Sequence, residues 1–208
     1  MDRLAGKADC IRKAAMVTIA WDVDDVLNDL MRDWFETGWK TEHRECKVAY
    51  EDLSENPPHR ILGVSKEHYL ESLDAFRARS FHNRMVPVLP VKEWFVSRGR
   101  EFRHIALTSV PFFAACESAR WVLTHFGKWI RTFHFVPSSR ATCEIPTYDR
   151  TKQEFLEWIQ RVDCLVDDNE DNIEGAKSVG VKGLLFPRPW NSEKKPVESV
   201  LASLSSLQ

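Results

Sequence analysis

From Pro90 onward, short apolar runs rich in β-branched residues alternate with longer amphipathic stretches. This alternation limits the fold more than any other feature of the chain. Residues 104–107, 132–136, 162–166 and 181–186 read as strands. Between them, residues 90–98, 112–126, 151–160 and 172–179 read as helices, the first two closed by Gly99 and Gly127. Strands joined by helices through short connections imply a parallel sheet with crossover helices on both faces. An earlier run, residues 17–21 (VTIAW), supplies the first strand. Roughly 65 residues separate it from Pro90, which is too long for a loop in a compact domain. Within that gap a helix is expected from about Leu27 to Trp39 and another from His68 to Arg79, with Pro57 and Pro58 as a break. The expected organisation is a polar extension at 1–15, a core domain at 16–32 and 87–208, and an inserted, mainly helical unit at 33–86.

Composition narrows the function. With 208 residues the chain can bury a sizeable core without disulfides or structural metals. The 29 basic and 31 acidic residues leave a formal charge of −2, which offers no polycationic footprint for a nucleic-acid polymer. Gly is scarce at eight, and neither G-x-x-x-x-G-K-[ST] nor G-x-G-x-x-G occurs. The five cysteines are scattered, without C-x-x-C, and read as reduced thiols of a cytoplasmic protein. No stretch has the pattern of a signal peptide or the length of a membrane span.

The chemistry is concentrated at two strand ends. The first strand runs into Asp22-Val23-Asp24-Asp25 and the fourth into Asp167-Asp168-Asn169-Glu170-Asp171. In an open parallel sheet the carboxyl ends of the strands carry the ligand site. If the two strands are neighbours, at least four carboxylates converge there. Such a cluster calls for protonation or a hard cation with oxygen ligands, Mg²⁺ first among them. Either acidic tip alone reads equally well as an Asp-rich turn; the coincidence of two does not. Asp22 and Asp24 are two residues apart and would share a face in extended chain. One could then attack phosphorus while the other handles the leaving-group proton. Thr108 and Ser109 close the second strand with hydroxyls suited to a phosphoryl oxygen, although Thr108 by itself is equally an ordinary strand residue. Lys152 lies in the first turn of a helix, where the dipole disfavours a cation unless an anion is near. A solvated lysine is the alternative.

In their order, these residues resemble the motifs of the haloacid dehalogenase (HAD) superfamily of Mg²⁺-dependent phosphohydrolases. Residues 19–27 look like its first motif, residues 104–109 (HIALTS) its second, Lys152 its third, and residues 165–172 (LVDDNEDN) its fourth. The resemblance implies an α/β fold: a HAD-like Rossmannoid parallel sheet flanked by helices, with a small helical cap inserted after the first strand. It implies a phosphatase acting on a small phosphomonoester, with Asp22 as nucleophile forming an aspartyl-phosphate and Asp24 as general acid and base. Mg²⁺ would be held by Asp22, the backbone carbonyl of Asp24, and Asp167, with Asp168 close by. Thr108, Ser109 and Lys152 would bind the phosphoryl oxygens. Asp25 stands where many relatives have Gly, and Asn172 where the fourth motif often has Asp.

Trp34, Phe35 and Trp39 open the expected cap. They either pack its interior, the preferred alternative, or stack on a base or sugar. Residues 184–191 (LLFPRPWN) resemble the segment after the fifth strand of 5′(3′)-deoxyribonucleotidase-like members, which makes a nucleoside 5′-monophosphate the leading substrate. Arg140 follows the third strand and reads as a solvated loop residue or a phosphate contact. A catalytically weak binding or regulatory protein and a phosphotransferase such as a phosphomutase are the alternatives. Oligomeric state is not legible in these residues.

Overall fold

The structure, a computed structural model, describes residues 16–80, 85–138 and 145–207. The expected extension at 1–15 and Arg140 lie outside the described residues. Five strands, β1 Thr18–Trp21, β2 Arg103–Val110, β3 Ile130–Pro137, β4 Cys164–Asp167 and β5 Lys182–Leu185, form one sheet in the order β3-β2-β1-β4-β5. Every neighbouring pair is parallel. The helices are α1 Leu30–Asp33, α2 Lys40–Glu42, α3 Lys66–Ser80, α4 Leu89–Arg98, α5 Phe112–Phe126, α6 Lys152–Ile159, α7 Glu170–Ser178 and α8 Val197–Leu204.

Local signals set most of these boundaries. Pro90 lies in the first turn of α4, where its missing N–H costs nothing. Pro111 precedes α5 and Gly127 follows it. The Thr151 side chain accepts from the Glu154 N–H at the start of α6. The Asn169 side chain accepts from the N–H groups of Asp171 and Asn172 at the start of α7.

Strand alternation divides the interior in two. Ile19, Trp21, Ala106, Cys164 and Val166 join one buried cluster with residues of α4, α5 and α8. Ala20, Ile105, Leu107 and Leu165 join the other with Phe155 and Leu156 of α6 and Ala176 of α7. The sheet is therefore covered on both faces.

Two expectations need correction. The stretch from Leu27 to Trp39 is not one helix. Asp25 adopts a left-handed backbone with φ 63°, and Leu27 and Asn28 both donate backbone N–H groups to the Val23 carbonyl. That turn delays the helix to Leu30. Residues Trp34–Trp39 then form a π-helical turn. Its i to i+5 geometry brings Trp39 over Trp34, with ring centroids 5.5 Å apart. The second correction is α8, which the sequence reading left without structure. Its Val200, Leu201 and Leu204 are buried.

The segment between β1 and α4 carries α1, α2, α3 and a 3-10 turn at Tyr50–Asp52. Its two ends meet: Asn28 and Pro87 form an antiparallel bridge, and the Val88 N–H donates to the Leu27 carbonyl at 2.9 Å. Its apolar residues, Trp34, Tyr69 and Phe76 among them, belong to the same buried cluster as Trp21 under the sheet. Among the described residues, no helix is long and apolar enough to cross a membrane.

Candidate active site

β1 and β4 are hydrogen-bonded neighbours, with Trp21 level with Val166. The Asp22 N–H donates to the Val166 carbonyl at 2.9 Å. The two acidic tips are thus locked side by side. Carboxylate oxygens of Asp22, Asp167 and Asp168 lie within 4.8 Å of one another, and all three residues are buried.

Lys152 reaches into this cluster from the start of α6. Its Nζ lies 2.8 Å from Asp22 Oδ2 and 2.7 Å from Asp167 Oδ2, with the side chain 1% exposed. The dipole penalty at a helix start is offset by two carboxylates. Burial alone would lower the Lys152 pKa, but the Asp167 and Asp22 charges outweigh it and hold it above its ordinary value. Further donors fix the acids. The Val23 N–H reaches Asp22 Oδ1 at 2.7 Å. The Asn169 N–H reaches Asp167 Oδ1 at 2.9 Å, and Asn172 Nδ2 lies 3.1 and 3.2 Å from the two Asp167 oxygens. Asn172 thus acts as a donor to a carboxylate, which an aspartate in its place could not do while ionised.

Negative charge still exceeds positive here. Burial, with Asp167 and Asp168 nearby, pushes the Asp22 carboxyl well up despite Lys152. Burial and the Asp167 charge push the Asp168 carboxyl up to about 8. Three buried carboxylates, two of them sharing one lysine, form an all-oxygen donor set that fits a hard divalent cation. Bound there, such an ion would supply the missing positive charge.

Asp24 takes a different position. Its Oδ1 accepts from Asn28 Nδ2 at 3.1 Å, and its Oδ2 accepts from Arg77 Nη2 of α3 at 2.8 Å. Its carboxylate lies outside the three-carboxylate cluster; the share foreseen for it in metal binding was its backbone carbonyl. Burial would lower the Arg77 pKa, but Asp24 raises it above its ordinary value.

Thr108 is fully buried on β2, two residues past the Ala106 that pairs with Trp21. Its hydroxyl is buried without a hydrogen-bond partner. A buried hydroxyl left unpaired is costly, and an incoming oxyanion would satisfy it. Ser109, the next residue, is exposed.

Trp34, Phe35 and Trp39 lie in the buried interior. They are 0%, 0% and 2% exposed, and Trp34 meets Tyr69 edge-on at 5.3 Å. The π-helical turn buries all three, in keeping with the packing alternative.

Residues 188–191, within the segment singled out above for its resemblance, prove to be neighbours of the acids, a contact that the sequence does not reveal. Arg188 Nε donates to the Asp25 carbonyl at 2.6 Å, and its Nη1 to Asp29 Oδ1 at 2.8 Å. Trp190 Nε1 donates to Asp168 Oδ2 at 2.8 Å. Asn191 Nδ2 donates to the carbonyls of Asp168 and Phe186, each at 2.8 Å. The available signal was position, because this segment follows β5 at the same sheet edge as the acids. A cavity of about 180 Å³ opens here, lined in part by Asn56, Asp168 and Trp190. Larger cavities of about 710 and 480 Å³ lie elsewhere, beside His134 and Trp158 and between α7 and α8.

No protein-family model matches the chain, and no curated protein matches it by sequence. Solved structures do match. A haloacid dehalogenase-like family hydrolase from Streptococcus pneumoniae is 12% identical with a TM-score of 0.59, covering 93% of this chain and 99% of its own. A predicted phosphatase from Clostridium acetobutylicum is 12% identical with a TM-score of 0.59, covering 92% and 99%. A conserved haloacid dehalogenase-like protein of unknown function from Agrobacterium tumefaciens is 16% identical with a TM-score of 0.58, covering 92% and 99%. At these identities the likeness concerns the fold. With its strand order, its flanking helices and these neighbours, the chain has the HAD-like Rossmannoid fold.

Proposed function

We propose that the protein is a Mg²⁺-dependent phosphatase that hydrolyses a small phosphomonoester through an aspartyl-phosphate. One observation carries the reading: Asp22, Asp167 and Asp168 meet in a buried cluster around a single lysine. Asp22 attacks phosphorus through a carboxylate oxygen, and the bond to the leaving oxygen breaks. Asp24, in its protonated form and released from its pairing with Arg77, gives a proton to that oxygen and then, as a carboxylate, takes one from the water that hydrolyses the acyl phosphate. Lys152 holds Asp22 in place and offsets charge on the transferring group. Thr108 and Ser109 donate hydrogen bonds to the phosphoryl oxygens. Mg²⁺, held by Asp22, Asp167, Asp168 and the backbone carbonyl of Asp24, supplies electrostatic stabilisation of those oxygens when bound.

The leading substrate is a nucleoside 5′-monophosphate, on the resemblance of residues 184–191. A cytoplasmic home accords with the free thiols Cys46, Cys116 and Cys164. The test is phosphate release from a panel of phosphomonoesters, nucleotides included, by wild type and Asp22→Asn, with Mg²⁺ and with chelator. Asp22→Asn is expected to lose at least about 10³-fold in kcat, and chelator to abolish turnover. Equal turnover by both proteins removes Asp22 as nucleophile. Full activity in chelator removes the metal.

A further inference from the structure

The segment after β5 fastens both acidic tips, and one of its residues acts on a carboxylate proposed as a metal ligand. We infer that Trp190 is a positioning residue for the cation site, orienting the Asp168 carboxylate through its indole N–H. The inference rests on the metal part of the proposed function.

The geometry is specific. Trp190 Nε1 donates to Asp168 Oδ2 at 2.8 Å. Asn191 Nδ2 grips the Asp168 backbone carbonyl at 2.8 Å. The residue is therefore held by backbone and side chain from one short segment. Among the described residues, Trp190 is the side-chain donor to this carboxylate, whereas Asp22 and Asp167 share Lys152.

The donor type matters. An indole is a neutral donor with no acceptor. It holds the carboxylate through Oδ2 without bringing a positive charge of its own to the site. A lysine or arginine at the same place would compete with the ion. Such outer partners of ligating groups typically contribute about 10–100-fold in metal affinity.

The indole is itself supported. Trp190 meets Tyr50 edge-on, with centroids 6.2 Å apart, and the Arg32 guanidinium lies 3.9 Å over the Tyr50 ring. Tyr50 belongs to the segment inserted after β1. The inserted segment thus braces the residue that orients Asp168.

The experiment is calorimetric titration of the full chain with Mg²⁺ alone, comparing wild type with Trp190→Phe, which keeps an aromatic ring and loses the N–H. Melting of the metal-free proteins is followed in parallel. The expected result is an approximately tenfold weaker Mg²⁺ affinity in Trp190→Phe and a smaller Mg²⁺-induced rise in Tm. Affinity within twofold of wild type overturns the inference, even if the metal-free Tm falls, because the role is then structural. Absence of Mg²⁺ binding by wild type overturns the metal reading itself, and the inference with it. A second measurement uses the unaltered chain, in case the variant does not fold. The Trp190 indole ¹⁵N–H resonance should shift during Mg²⁺ titration with the calorimetric Kd. A resonance that stays fixed while Mg²⁺ binds counts against the inference.

Discussion

His104, at the second position of β2, uses its two ring nitrogens in opposite senses. Nδ1 accepts from Trp21 Nε1 at 3.1 Å, and Nε2 donates to the Gly99 carbonyl at 2.7 Å. The neutral ring is fully satisfied, and a second proton would meet the indole N–H. Burial, only partly offset by the Gly99 carbonyl, brings its pKa from 6.5 down to about 4. The folded pKa lies below the unfolded one, so the stability it confers is complete above pH 6.5 and is lost as pH falls toward 4. Between pH 7.5 and 5, wild type should lose about 2 kcal/mol more than His104→Phe. Urea titrations in chelator measure this, and parallel losses in the two proteins would refute it. At the same scale, Asp22, Asp167 and Lys152 were legible in the sequence because each sits at a strand tip or helix start. Arg77 was not, because its partner is 53 residues away and no local pattern marks it; Trp190 was marked by the resemblance of residues 184–191, but its bond to Asp168, 22 residues away, was not.

At the level of elements, α7 packs closely on β5 through a glycine. A Cβ built on Gly183 would stand 2.6 Å from Ile173 Cγ2 and 3.1 Å from the Ile173 carbonyl oxygen. The helix would have to move off the sheet. Gly183→Ala should therefore destabilise the fold by about 1–3 kcal/mol, read as a lower midpoint in denaturant. A gain in stability would show that the helix shifts freely. Element identity was legible wherever caps and periodicity agreed, as in α5 between Pro111 and Gly127. It failed at the π-helical turn, where aromatic packing, not propensity, sets the backbone. It failed also at α8, whose short apolar face follows a polar, lysine-rich stretch.

Across the whole molecule, the Arg77 to Asp24 ion pair joins the inserted segment to the sheet edge. Both side chains are largely buried, at 8% and 12% exposed. Removing one member leaves the other poorly compensated. Arg77→Met should cost about 2–4 kcal/mol, and most of that loss should vanish in an Asp24→Asn background. A double-mutant cycle measures the coupling, and simple additivity would mean that the pair is energetically idle. Unfolding should remain a single transition, because the segment shares its buried cluster with the sheet.

The contact of Asn28 with Pro87 gives the inserted segment a narrow doorway. The backbone leaves the sheet and returns to it at adjacent points, so everything between is a closed ring hung on one frame. The sheet cannot sense how many residues that ring contains, because the frame alone sets where β1 ends and where the path to β2 begins. What the ring must keep is the aromatic lining on its inner side and the two groups, Arg77 and Tyr50, that reach back through the frame.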